Sequence, residues 1–150
     1  MEGEEYHGSP LDRCLQKQER LVHALEKCAT REEQYLWLMQ LGKQLPPLPK
    51  PLLIEENRLQ GCQSTSYVCL DADGHGMARI RGCSEALISA GLIGVATSVF
   101  QGEPFEVVCR CPLQILNRLN FSSLLSMGRM QGWDSLLHHL RLRAFMFLGD

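Results

Sequence analysis

The chain has 150 residues, of which 45% are hydrophobic and 21% charged, and a net charge of -2. That length sets a single domain as the prior, and the apolar share supplies one core inside an ordinary polar surface. Without a run of Lys and Arg to neutralise phosphates, the balance excludes a nucleic-acid-binding surface, and no apolar run reaches the ~20 residues of a bilayer span.

The start is acidic, with Glu2, Glu4 and Glu5. It carries neither the basic patch of a secretory signal nor the Arg-rich composition of a transit peptide, so the expected location is the cytoplasm. Seven cysteines, Cys14, Cys28, Cys62, Cys69, Cys83, Cys109 and Cys111, form an odd set, which fits free thiols in a reducing compartment.

Residues 1–8 read as a flexible tail, and 9–150 as one domain. Ser9-Pro10 forms an N-cap with proline at the first helical position. Leu11, Cys14, Leu15, Leu21, Val22 and Leu25 then recur at helical spacing and predict a first helix to about Cys28. Thr30 and Glu33 have the form of a capping box for a second helix, with Tyr35, Leu36, Leu38, Met39 and Leu41 on its buried side. Gly42 suits that helix's C-terminus. Four prolines between Gln44 and Pro51 make an extended connector, since proline lacks a donor N–H and restricts the residue before it.

Leu59 precedes Gly61-Cys62-Gln63-Ser64, and Tyr67-Val68-Cys69-Leu70 follows with strand-favouring side chains. Asp71 to Gly74 is a turn signal, and Met77 to Arg81 alternates, which together predict an antiparallel hairpin or meander. Ser84-Glu85 stands where a cap and an acidic first turn would open a long buried helix to Phe100. Pro104 to Arg110 fits a short helix or a strand equally; Pro112 to Leu119 and Ser126 to Phe147 read as the last helices. Helices, then a small sheet, then helices is an α+β order, a small antiparallel sheet packed by helices.

Cys62 is the leading chemical candidate. Gly61 frees the backbone to turn, Gln63 and Ser64 add groups that bond local backbone, and the loop lies between strands where functional residues gather. Set against this, a cysteine in a tight turn is often structural, and reactivity needs access and a lowered pKa. Gly61-Cys62-Gln63-Ser64 resembles the signature loop of the SufE family of sulfur-acceptor proteins. Upstream, Cys28 to Leu36 and Leu41 to Pro46 resemble that family's second helix and its exit. Downstream, Ser84-Glu85-Ala86 with Gly91-Leu92 resembles its Asp-Ser-Asp-Ala stretch and the following Gly-Leu. Leu125-Ser126, Arg129 and Gly132 fall at the spacing of its Leu-Ser-x-x-Arg-x-x-Gly stretch.

The resemblance implies the fold shared with iron–sulfur scaffold proteins. It further implies that Cys62 receives sulfane sulfur from the persulfide of a pyridoxal-phosphate (PLP)-dependent cysteine desulfurase, stimulates that enzyme, and passes sulfur towards an iron–sulfur assembly scaffold. The acceptor would need no metal or organic cofactor, only a transient Cys62 persulfide, sheltered by the loop between encounters. Gly61, Gln63, Ser64, Ser84, Glu85 and Arg129 would support the loop or meet the partner. For Ser84 and Glu85 the plain alternative is helix capping; for Arg129, a surface ion pair instead of a cation that favours the Cys62 thiolate. Three departures stand out: Tyr67 replaces a tryptophan, Ser66 an aliphatic residue, and Cys83 and Glu85 the two Asp of Asp-Ser-Asp-Ala. Cys83 could act as a second thiol if it lies near Cys62.

Other constellations carry less. Cys109-x-Cys111 lacks the second pair of a structural zinc site. His138 and His139 point to different helix faces and read as a solvated basic end; His75 is a turn residue; Trp37 and Trp133 are core or interface anchors. Competing readings are an iron–sulfur scaffold built on Cys62 with Cys109 or Cys111, a desulfurase-binding module that transfers nothing, and a thiol hydrolase, which needs a histidine near Cys62. The chain is short for a desulfurase, and no lysine sits in a context suited to a pyridoxal Schiff base.

Overall fold

The computed structural model describes residues 6–62, 64–119 and 125–149. Helix α1 spans Pro10–Glu26, two residues short of the expected end, and Ser9 with Asp12 closes a capping box at its start. Its buried stripe is Cys14, Gln18, Val22 and Leu25, while Leu11 and Leu15 stay exposed. The polar member of the stripe is satisfied: Gln18 donates to the Pro112 carbonyl and accepts from Gln114 N–H. Tyr6 lies over Arg20, and His7 exchanges hydrogen bonds with the Gln16 amide, so the described part of the N-terminal segment runs along α1.

Helix α2 spans Arg31–Lys43 with Thr30 as its N-cap; Glu33 reaches back past the cap to the Ala29 N–H. Its buried residues are Leu38 and Gly42, and Leu36 points outward. Gly42 was expected to end the helix by its backbone freedom. It lies instead inside α2, against the next long helix, because a Cβ there would come within 2.7 Å of the Gly91 N. The connector holds two short 3-10 turns, Lys50–Leu52 and Glu55–Asn57.

Strands β1 (Ser66–Ala72) and β2 (Ala78–Ser84) pair antiparallel, with Ser66 opposite Ser84 and Ala72 opposite Ala78. Both run further than the alternating pattern suggested. The turn is shifted to follow, with Asp73 Oδ1 accepting from the N–H groups of His75 and Met77. The far edge of β2 is occupied by a side chain: the Gln101 carboxamide accepts from Ile80 N–H at 2.6 Å and donates to Ile80 C=O at 3.0 Å.

Helix α3 spans Leu87–Phe100 and is buried along most of its length. It starts two residues after Glu85, with Ala86 at the cap position and no capping side chain. Ser84 and Glu85 therefore do not cap it: Ser84 is the last strand residue, and Glu85 N–H is bonded to Thr65 C=O. The undecided segment is helix α4 (Phe105–Arg110), followed by the single turn α5 (Ile115–Arg118) and the long α6 (Met127–Leu148). α6 buries Trp133, Leu136, Leu140 and Ala144. His139 is not part of a solvated end, since its ring bonds the Val68 carbonyl at 2.8 Å, and burial lowers its pKa. None of the helices among the described residues is long and apolar enough to cross a membrane.

Glu103, 1% exposed, anchors α1 to the α3–α4 corner through bonds from Arg13 Nε at 2.8 Å and Lys17 Nζ at 2.7 Å. Burial alone would raise its pKa, but the donated bonds of Arg13 and Lys17 outweigh burial and the net shift is downward. A carboxylate with a lowered folded pKa adds stability above its unfolded pKa, and that contribution is lost as pH falls through the folded value. Glu103→Gln is expected to cost about 3 kcal/mol near neutral pH. The gap to wild type should shrink as pH falls from about 7 towards 3, followed by urea unfolding; a constant gap would contradict a charged Glu103.

Candidate functional site

The Cys62 loop is a lobe between Leu59 and Ser66. Its stem is closed by Leu59 N–H donating to Ser66 C=O at 2.9 Å and by a bridge between Arg58 and Tyr67. Gly61 turns the chain just before the cysteine at φ 74°, with open space where a Cβ would stand; glycine takes this left-handed conformation at little cost. On one limb, Ser135 of α6 donates to the Gln60 carbonyl at 2.6 Å. The other limb is tied by serines. Ser64 Oγ donates to Ser89 Oγ at 3.0 Å and lies 3.3 Å from Ser84 Oγ, while Ser66 Oγ donates to Ser84 Oγ at 2.8 Å. Gln63 lies outside the described residues.

Cys62 is half-buried, and its sulfur turns inward against α6. A Cβ on Gly132 would stand 3.2 Å from Cys62 Sγ, so the missing side chain there leaves the thiol its place. The sulfur borders a cavity of about 20 Å³, room for roughly one water-sized atom. Leu59, Leu92, Ile93 and Leu136 make its apolar wall. Ser66, Ser89 and Arg129 supply its polar wall. Arg129 comes from the first turn of α6, whose cap is the Ser126 hydroxyl, and its Nη1 donates to Ser89 Oγ at 2.7 Å. No carboxylate pairs with Arg129 among the described residues. Burial pushes the Cys62 thiol above its ordinary pKa, so at rest it holds its proton.

Of the other sequence candidates, Ser64 and Arg129 come together at Ser89, and Ser84 joins through Ser64 and Ser66. Glu85 is exposed beside them, its backbone tied to Thr65. Cys83 is opposite Tyr67 in the ladder. Side chains alternate along a strand, so Cys83 projects from the face opposite Ser66 and Ser84 and is not among the residues lining the Cys62 cavity. Cys111 is fully buried, and Cys109 Sγ donates to the Arg141 carbonyl. Arg141 lies nine residues beyond Gly132 on α6, roughly 13 Å along the axis. Neither thiol therefore joins Cys62 as a scaffold would require. Among the described residues no histidine lines the cavity, where a hydrolase nucleophile would have its base.

Ser89 was missed as a site residue. Its signal is a hydroxyl in a helix that is otherwise apolar on nearly every side. The aliphatic wall carried no signal, because its members come from the connector, α3 and α6.

A family model for the Fe-S metabolism associated domain, SufE, matches residues 19–144. Among solved structures, the chain is similar to a hypothetical protein from Thermus thermophilus studied in solution. The TM-score is 0.74 at 20% identity, over 89% of this chain and 97% of that one, and at that identity the likeness speaks for the fold.

Proposed function

This chain belongs to the SufE family, associated with Fe-S metabolism, and from that premise we propose that Cys62 accepts sulfane sulfur from the persulfide of a PLP-dependent cysteine desulfurase and hands it on towards an iron–sulfur assembly scaffold. The observation that carries the reading is the cavity beside Cys62 Sγ, about 20 Å³, which suits one added atom.

In the transfer, the Cys62 thiolate attacks the outer sulfur of the donor persulfide. The new S–S bond forms as the donor's S–S bond breaks, and the electron pair leaves on the donor's inner thiolate. Burial keeps the resting thiol protonated, which quiets it between encounters. A partner that draws the loop outward removes that burial and favours the thiolate. The turn at Gly61, with no atom crowding it, is a natural pivot for that motion, and exposed Glu85 and Leu87 border the surface where a partner would dock. After transfer, the loop returns and the outer sulfur enters the cavity, away from solvent reductants.

The test is intact mass after incubation with a PLP-dependent cysteine desulfurase and cysteine. Wild type and Cys83→Ser should each gain the mass of one sulfur. A wild type that gains none would overturn the reading, and a gain lost with Cys83→Ser would replace it with a two-thiol relay.

A further inference from the structure

We propose that Ser89 donates the hydrogen bond that holds the outer sulfur of a Cys62 persulfide, an assignment that rests on the sulfur-acceptor reading above. A serine hydroxyl has two acceptor positions and one hydrogen. Both acceptor positions of Ser89 Oγ are taken, by Arg129 Nη1 at 2.7 Å and by Ser64 Oγ at 3.0 Å. Its own hydrogen has no acceptor among the described residues, and the side chain stands on the wall of the cavity that Cys62 enters.

The contrast with its neighbours on α3 is direct. A helical Ser or Thr can return its hydrogen to the carbonyl four residues back. Thr97 does so to Ile93 and Ser98 to Gly94, each at 2.8 Å. Ser89 does not, because the carbonyl four residues back belongs to Glu85, ahead of the first helical residue Leu87. The other hydroxyl on the wall, Ser66, has its hydrogen engaged with Ser84. Ser89 thus keeps the unclaimed serine hydrogen of the cavity wall, and the charged donor Arg129 polarises it towards stronger donation.

A persulfide loses its proton more readily than a thiol, so the sulfur that Cys62 brings in arrives as an anion. The rest of the wall is mostly Leu59, Leu92, Ile93 and Leu136, where an unpaired anion is costly. The Ser89 O–H meets that charge, with the Arg129 guanidinium bonded to the same oxygen and also on the wall. No atom is oxidised or reduced by this contact: the sulfane sulfur stays bonded to Cys62, and its proton has left to solvent or to the donor's departing thiolate.

The test loads wild type, Ser89→Ala and Ser89→Thr with inorganic polysulfide, with Cys62→Ser as the blank that subtracts sulfur on other thiols. Two readouts follow on the Cys62-dependent persulfide: its pKa, from the pH dependence of its near-ultraviolet absorbance, and its lifetime against a small thiol reductant. Ser89→Ala is expected to raise the persulfide pKa by about one unit and shorten its lifetime about tenfold, the size of one bond to a charged group. Ser89→Thr, which keeps the hydroxyl, should restore both. Alanine at a helical position favours the fold, and thermal melts verify it. If Ser89→Ala titrates and decays as wild type does, or if Thr fails as Ala does, the Ser89 assignment falls while the Cys62 reading stands. If wild type takes up no Cys62-dependent sulfur, both fall.

Discussion

Incubated with a PLP-dependent cysteine desulfurase and cysteine, Cys62→Ser is expected to gain no sulfur where wild type is fully loaded, with unfolding free energy changed by no more than about 1 kcal/mol. The two halves of this outcome have separate causes. Sulfur transfer needs a thiolate as the attacking group, and a serine hydroxyl holds its proton far above neutral pH. A hydroxyl oxygen in its place cannot carry the sulfane sulfur as a persulfide. The fold does not depend on the sulfur in the same way. Cys62 is half-buried, and its loop is fastened independently through Gln60, Ser64 and the Leu59–Ser66 stem. Intact mass gives the loading and urea unfolding the stability. Sulfur uptake that persists in Cys62→Ser would move the acceptor role to another cysteine.

Gly91→Ala should produce the largest loss of stability of any glycine-to-alanine change among the described residues. The added Cβ would lie 2.4 Å from the Leu38 carbonyl oxygen and 2.8 Å from its carbon, both backbone atoms that no rotamer change can move. Alanine's helix propensity favours the substitution by about 1 kcal/mol, but overpacking costs typically 1–3 kcal/mol and more where backbone must shift. The expected net loss is about 2 kcal/mol, the upper end of that cost less the propensity gain, read from the urea midpoint. Gly94→Ala provides the internal comparison: its nearest contact, at 2.9 Å, is the Leu41 side chain, which can partly yield, so its loss should be smaller. Equal losses would mean that the helices separate easily and that contact geometry does not set the cost.

Those glycines illustrate where reading the sequence succeeded and where it stopped. Caps and proline signals are local, so Ser9-Pro10 and Thr30 mark the starts of α1 and α2 directly. Gly42 looked like a local signal too, a helix terminus, yet its role is set by Gly91, forty-nine residues away. Ser84 failed for the same reason. A serine and an acid before an apolar run have the form of a cap, but the cross-strand partner Ser66 extends the strand over it. The segment from Pro104 to Arg110 was ambiguous because its helix, α4, has six residues, too few turns for either period to show.

At the site, Cys62 and its flanking glycine were legible because a tight turn has a composition of its own. Arg129 and Gly132 were legible through the family resemblance. The sequence left open whether Arg129 served an ion pair or the thiol, a question of three-dimensional neighbours. Ser89 was hidden because its importance lies in an unspent hydrogen, and that depends on which acceptor positions Arg129 and Ser64 have already filled.

The Gln101 carboxamide bears on how this protein behaves in a crowded solution. A two-stranded ribbon has two open margins, each a row of N–H and C=O groups on which a foreign strand can grow. On β2, Gln101 occupies the pairing sites of Ile80 from a side chain, as a counterfeit third strand one residue long. Ala78 is matched on the same margin by the backbone of Gly102 and Glu103. On β1, Arg58 pairs with Tyr67. The β2 margin is therefore occupied at Ala78 and Ile80, and the start of the β1 margin at Tyr67 and at the Val68 carbonyl that His139 binds, which leaves a shorter row of free groups as a template for edge-to-edge association.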